Sequence, residues 1–162
     1  MKQKARDYAL LHHGDQQYGG HSYIVHLDAV ADLVRPYGGI AVVIGCLHDV
    51  VEDTDVTVDQ IEVEFGKLVA DCVGILTDEA GADRQERKRK TYAKMAGVSG
   101  DLELALVVKA ADRLANVRAC VDDKNGRLLG VYRSEHMVFK QSVYRQGLCN
   151  GFWDELDNLI KA

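Results

Sequence analysis

The sequence predicts an all-α fold, and three observations carry the prediction. Pro36 is the only proline in 162 residues, apolar residues recur at helical spacing through most segments, and strict alternation is scarce. No strand is expected. The length falls in the range of one domain, so residues 1–162 read as one unit able to bury a core without disulfide or metal staples.

The first helix is placed at Lys2 to His13, with Ala5, Ala9 and Leu10 facing inward, and stops at a loop from Gly14 to His21 that contains Gly19-Gly20. A second starts near Ser22, carries Ile24, Leu27, Val30, Ala31 and Val34, and ends near Pro36; Gly38-Gly39 separate it from the third. The run Ile40 to Leu47 is apolar all round and by itself fits a buried strand as well as a helix. Its continuation through His48-Asp49-Val50-Val51-Glu52-Asp53 makes it long enough to prefer a buried helix.

Thr57-Val58-Asp59-Gln60 has the form of a capping box opening a short helix, which Phe65-Gly66 closes before another from Lys67 to Leu76. From Asp78 to Lys90 the chain is strongly polar, with Arg84, Arg87, Lys88, Arg89 and Lys90 close together, and reads as a mobile loop leading into a solvated helix. Leu102 to Val117 is a mostly apolar helix in which Lys109, Asp112 and Asn116, three and four apart, share one face. A loop from Asp122 to Arg127 and two helices complete the chain, without an internal repeat or linker.

A net charge of −5 and a pI near 5.6 argue against a nucleic-acid partner, while a local cluster of Lys and Arg leaves a small anionic ligand possible. Cys46, Cys72, Cys120 and Cys149 lack CxxC spacing and sit in mostly apolar surroundings, as buried reduced thiols of a cytoplasmic protein do. No apolar run approaches the roughly 20 residues of a membrane span, and the start at Met1 leads into no signal-peptide core. The oligomeric state is not legible in the sequence.

A His-Asp dipeptide is a weak signal; its setting gives it weight. His48 and Asp49 close an apolar helix, where an ionisable pair is costly unless it is paired or binds a metal. Glu52 and Asp53 lie one turn further on, and crowded carboxylates call for a cation. His26 and Asp112 sit among aliphatic residues on two other predicted helices that can converge on the same point. Two imidazoles and two carboxylates with open water positions suit Mn²⁺, Fe²⁺ or Mg²⁺ better than a closed tetrahedral Zn²⁺ site. Such an ion acidifies water and polarises a phosphoryl oxygen, with Glu52 and Asp53 placed to handle protons and the Arg and Lys residues of the stretch from Arg84 to Lys90 placed to hold phosphates. Taken singly, His26 is more often a core histidine, Asp112-Arg113 a local ion pair and Lys88 to Lys90 a solvated face. His12, His13, His21 and His136 read as structural or surface residues.

The runs His48-Asp49-Val50-Val51-Glu52-Asp53-Thr54-Asp55-Val56-Thr57 and Val108-Lys109-Ala110-Ala111-Asp112-Arg113-Leu114-Ala115-Asn116 resemble the hydrolase domain of RelA/SpoT enzymes. Glu86-Arg87-Lys88-Arg89 after Thr77-Asp78, together with Tyr23-Ile24-Val25-His26 and Gly147-Leu148, extends the likeness over nearly the whole chain and brings it nearest to the stand-alone small alarmone hydrolases of the metazoan SpoT-like type. The resemblance implies an all-helical HD fold, usually with Mn²⁺, that removes pyrophosphate from the 3′ position of guanosine tetra- or pentaphosphate. It assigns the metal to His26, His48, Asp49 and Asp112, the catalytic acidic pair to Glu52 and Asp53, and a substrate contact to Asn116. Lys109, Arg84 and Lys88 join the expected substrate contacts. Where the family has a basic pair that packs on the purine, this chain has Gln17-Tyr18, and Ala115 and Ala119 replace larger or polar residues; Tyr18 is then the side chain available to stack on a base. Two other readings stay open: an HD phosphohydrolase acting on a nucleoside monophosphate or a phosphorylated dinucleotide, and a nucleotide-binding sensor without turnover, against which the intact Glu52 and Asp53 argue.

Overall fold

The computed structural model describes residues 1–161. In order, they form α1 (Lys2–His13), a hairpin of β1 (Gln17–Tyr18) and β2 (His21–Ser22), α2 (Ile24–Leu33), a 3₁₀ turn (Arg35–Tyr37), α3 (Gly39–Leu47), α4 (Val50–Asp53), α5 (Val58–Phe65), α6 (Lys67–Leu76), α7 (Arg84–Ala96), a second 3₁₀ turn (Gly100–Leu102), α8 (Glu103–Asp122), α9 (Gly126–Val143) and α10 (Asn150–Lys161). The all-α class is borne out, with one correction. The expected loop after α1 contains an antiparallel hairpin pairing Gln17 with Ser22 and Tyr18 with His21, turned at Gly19 (φ 58°), a backbone conformation that glycine adopts without strain.

Helix α8 is the axis of the molecule. It is buried from Ala105 to Ala115, packs against α2, α3, α6, α9 and α10, and runs past the expected end at Val117 to Asp122. Trp153 of α10 and Phe139 of α9 are among the largest fully buried side chains, tilted against each other with ring centroids 5.4 Å apart. The inward face of α1 is Ala5, Ala9 and His13; Leu10, expected inside, is 43% exposed because the helix rotates its narrow alanine edge toward α3. The Thr57 capping box forms as expected, with Thr57 Oγ1 accepting from Gln60 N and Gln60 Oε1 accepting from Thr57 N. All four cysteines are free and buried, and burial pushes the Cys46, Cys72 and Cys149 thiols up to about 11.

The expected single helix from Ile40 to Asp53 is broken, and the break makes the site. α3 ends at Leu47 and α4 starts at Val50, with Asp49 at φ −105°, ψ −4° between them. In a continuous helix neighbouring side chains point about 100° apart. The turn in the bridge region of backbone space, common at active-site residues, brings the His48 imidazole and the Asp49 carboxylate to one place. The turn is braced by His48 Nδ1 donating to Gly45 O at 2.8 Å.

Gly45 also sets how closely α3 approaches α2. A Cβ added there would stand 3.2 Å from both Ala31 Cα and Val34 Cγ2, and this contact brings His26 of α2 next to His48. Gly45→Val is therefore expected to reduce the unfolding free energy by about 2–3 kcal/mol through overpacking, measured by chemical denaturation, and to weaken metal binding in the fraction that remains folded.

Candidate active site

Three helices and the break converge on one point. His26 Nε2 and His48 Nε2 are 3.3 Å apart; Asp49 Oδ2 lies 2.9 Å from His48 Nε2 and 3.8 Å from His26 Nε2. Asp112 Oδ1, from α8, approaches the same two nitrogens at 3.2 and 3.6 Å. Ligand atoms on adjacent positions around one ion at about 2.1 Å are themselves about 3 Å apart, so this spacing fits a shared cation. The chemistry of the donors fits as well: His48 Nδ1–H is spent on Gly45 O, which leaves the Nε2 lone pair turned toward the cluster. His26, His48 and Asp49 each offer an atom within 4.8 Å of the others.

The surrounding groups orient this cluster. Tyr23, one turn before His26 on α2, donates its hydroxyl to Asp49 Oδ2 at 2.5 Å. Asp112 Oδ1 accepts from Asn116 Nδ2 at 2.7 Å and Asp112 Oδ2 accepts from Lys109 Nζ at 3.0 Å. Burial opposes the charged form of Asp112, but Lys109 and the two histidines outweigh it and hold its carboxyl well below the usual range. Lys109, 6% exposed, keeps its ammonium for the same reason, with Asp112, Asp49 and Glu52 raising its pKa against the cost of burial.

Burial also works against protonated His48, yet the charges of Asp49 and Asp112 win and raise its pKa well above the ordinary value; in return His48 holds Asp49 below the carboxylate range. A pKa raised in the folded state stabilises the metal-free protein below the unfolded pKa, and that stability is lost as pH rises through the folded value. A metal needs the neutral imidazole, so binding displaces this proton. Calorimetric titration with Mn²⁺ between about pH 6 and 8 is expected to show proton release and an affinity that rises with pH by up to about tenfold per unit.

The acidic pair sits at the rim. Glu52 Oε2 accepts from the backbone N of Asp78 at 3.0 Å, and Asp53 Oδ2 accepts from Gln16 Nε2 at 2.8 Å. Loss of water around Glu52, then the nearby charge of Asp78, push its carboxyl above the usual range. The polar stretch becomes helix α7 from Arg84 onward, capped by Asp83 Oδ1 accepting from Glu86 N. The two basic groups expected to meet substrate are engaged by carboxylates: Lys88 pairs with Asp78 at 2.7 Å, and Arg84 grips Glu135 of α9 at 2.8 and 3.3 Å. Arg113 forms no pair with Asp112. It is buried, stacked over Phe139 and Tyr132 at 4.3 and 4.6 Å, and donates to Tyr92 Oη and Glu135 Oε2.

Tyr18 of the hairpin lies parallel to the His26 ring, 4.7 Å away, and donates its hydroxyl to Asn116 Oδ1 at 2.8 Å. It forms one wall of a cleft of about 500 Å³ beside the cluster, lined also by Val25, Ala29, Leu33, Ala115 and Ala119. Sequence reading missed Gln16 and Asp78, which touch the acidic pair, and Tyr23 as a partner of Asp49. Tyr23 was within reach, since it precedes His26 by three and shares its helical face; Gln16 lies in a turn where no periodicity points anywhere.

A family model described as HD domain matches residues 5–148. A probable guanosine-3′,5′-bis(diphosphate) 3′-pyrophosphohydrolase of Synechocystis is 35% identical over 158 residues, which cover 92% of this chain and 20% of that protein. The guanosine-3′,5′-bis(diphosphate) 3′-pyrophosphohydrolase MESH1 of mouse is 35% identical over 122 residues, covering 71% of this chain and 66% of the mouse protein. The chain thus spans a fifth of the first relative and just under two thirds of the second. Among solved structures, one described as a metazoan ortholog of SpoT that hydrolyses ppGpp superposes with a TM-score of 0.81 at 23% identity, covering 99% of this chain and 93% of that one. A Listeria monocytogenes protein gives 0.69 at 26% identity, with 88% and 97% covered. With a family match running from residue 5 to residue 148 and helices that follow the same path as these structures, the chain belongs to the HD domain family.

Proposed function

We propose that the whole chain, residues 1–162, acts as one divalent-metal-dependent unit that removes pyrophosphate from the 3′ position of guanosine tetra- or pentaphosphate. The observation that carries this reading is the convergence of the Asp49 and Asp112 carboxylates on the His26 and His48 imidazoles, at 2.9–3.8 Å, with an acidic pair one turn away, in a chain whose relatives are named for that reaction. Those four residues would hold Mn²⁺, or Fe²⁺ or Mg²⁺, which when bound supplies an acidified water and polarises the scissile phosphoryl group.

Hydrolysis joins a water oxygen to phosphorus and breaks the bond to the 3′ oxygen, so one proton leaves the water and one reaches the departing nucleoside oxygen. Glu52, with its raised pKa, is suited to hold a proton for the leaving oxygen; Asp53, facing the same rim, is suited to accept the proton of the water. Asn116, already joined to Asp112, offers its amide to the sugar, and Tyr18 offers a ring face to the base once its hydrogen bond to Asn116 opens. Lys88 and Arg84, now paired with Asp78 and Glu135, would meet the phosphates by exchanging those partners, with Lys109 adding positive charge from behind Asp112. The free, buried cysteines support a cytoplasmic setting, and the acidic balance supports a small nucleotide rather than nucleic acid as the partner. Among the described residues no helix is long and apolar enough to cross a membrane.

A second reading, an HD phosphohydrolase on a nucleoside monophosphate or a phosphorylated dinucleotide, is favoured by one observation: Gln17-Tyr18 occupies the loop where the resembling family carries its basic pair, and Tyr18 is engaged with Asn116. A panel of guanosine tetraphosphate, a reduced phosphorylated dinucleotide and nucleoside mono- and triphosphates, with Mn²⁺-loaded protein, separates the two. Turnover of the tetraphosphate above the others is expected; turnover of another member only would move the assignment.

A further inference from the structure

Asp53 is the last residue of a single-turn helix, α4, and is exposed. A carboxylate so placed samples several rotamers unless something outside the helix fixes it. The group that meets it is Gln16, whose Nε2 donates to Asp53 Oδ2 at 2.8 Å from the turn after α1.

A glutamine amide has two faces, and only one of them donates. What orients this one is His13: its Nδ1 lies 2.8 Å from Gln16 Oε1, an acceptor, so Nδ1 carries the hydrogen and Nε2 of Gln16 is left facing Asp53. His13 is 7% exposed and stacks on Tyr23, with centroids 4.7 Å apart and planes at 27°. The backbone of the segment is pinned by Gln16 N donating to His13 O and Tyr23 N donating to Gln16 O, each at 3.0 Å. Tyr23 in turn donates its hydroxyl to Asp49 Oδ2. One strap, residues 13 to 23, thus reaches both a candidate metal ligand and a member of the acidic pair.

We infer that Gln16, oriented by His13, is a positioning residue that holds the Asp53 carboxylate in its working direction. This rests on the proposed role of Asp53 in pyrophosphate release. Misplacing a proton-handling group lowers the chemical step without loosening the substrate. Gln16→Ala is therefore expected to lower kcat on guanosine tetraphosphate by about tenfold with KM and the Mn²⁺ dissociation constant unchanged. His13→Phe, which keeps a ring over Tyr23 and loses the donor, should lose a similar factor. His13→Asn, whose Nδ2 can replace the Nδ1 donor, should recover most of it. The double variant His13→Phe/Gln16→Ala should be no slower than Gln16→Ala, since both remove one connection.

A readout independent of turnover is the Gln16 side-chain amide in NMR. Slowly exchanging, shifted Nε2 protons are expected in the wild type, and random-coil positions in Asp53→Ala and His13→Phe. Random-coil amide signals in the wild type would overturn the inference, as would wild-type kcat in folded Gln16→Ala, losses in KM instead of kcat, or additive losses in the double variant. Asp53→Asn separates the two levels. If it abolishes turnover while Gln16→Ala does not slow it, only the strap falls; if Asp53→Asn keeps full kcat, the assigned acidic pair falls with it.

Discussion

Asp49→Ala is expected to abolish turnover, by roughly a thousandfold or more, while leaving the helical fold in place. Asp49 is the carboxylate nearest to His48, at 2.9 Å, and lies 3.8 Å from His26, and it stands in the turn that breaks α3 from α4 rather than inside a packed helix. Removing it takes away a proposed metal ligand and the group that Tyr23 orients. Losing an orienting partner of a metal ligand typically costs 10–100-fold in affinity, and losing the ligand itself should cost at least about a hundredfold. Titration calorimetry with Mn²⁺ reads the affinity, and circular dichroism checks that the helices remain. Metal affinity at the wild-type level in this variant would remove Asp49 from the ligand set.

Lys109→Met is expected to destabilise the metal-free protein by up to about 3 kcal/mol, the low end for breaking a buried pair, because it takes the lysine from the buried Asp112 carboxylate and leaves it to His26, His48 and Asn116. Lys109 is 6% exposed and its ammonium is spent 3.0 Å from Asp112 Oδ2. The sign depends on what else can compensate the charge. A bound divalent ion does part of the same work, so the loss should shrink when denaturation is repeated in saturating Mn²⁺. A lysine whose main task were to touch the substrate would behave differently: its removal would raise KM and leave the stability of the metal-free protein unchanged.

Helix identity was legible where periodicity and punctuation agree. α1, α5 and α6 begin and end where Gly14, the Thr57 box and Gly66 place them. The His/Asp cluster was legible for a related reason: ionisable residues in apolar runs, such as His26 between Val25 and Leu27, need a partner, and the partners were other residues of the same kind. What stayed hidden depends on tertiary geometry. The break at His48-Asp49 interrupts an apolar run with no Gly or Pro at the break, because its cause is a side-chain bond from His48 to Gly45 O and the close approach of α2. The hairpin escaped because two-residue strands leave no alternation to count. Arg113 adjoins Asp112 in sequence, yet its partner Glu135 lies on another helix, a choice that local spacing does not encode.

The Gln17-Tyr18 pair shows the same limit at the level of function. The sequence marks a change in the loop at Gln17-Tyr18, while the structure adds that Tyr18 stacks on His26 and bonds Asn116 beside a cleft that Ala115 and Ala119 help to line. Tyr18, Ala115 and Ala119, which differ from the resembling family, therefore gather at one cleft, and the four residues that match its metal ligands do not change.

The central claim is tested most directly by incubating Mn²⁺-loaded protein with guanosine tetraphosphate in ¹⁸O-labelled water and identifying the products by ³¹P NMR and mass spectrometry. Guanosine diphosphate and pyrophosphate carrying one ¹⁸O atom are the predicted products, since water attacks phosphorus and the 3′ oxygen stays with the nucleoside. Release of orthophosphate instead, label in the nucleoside, or an unchanged tetraphosphate would contradict the account.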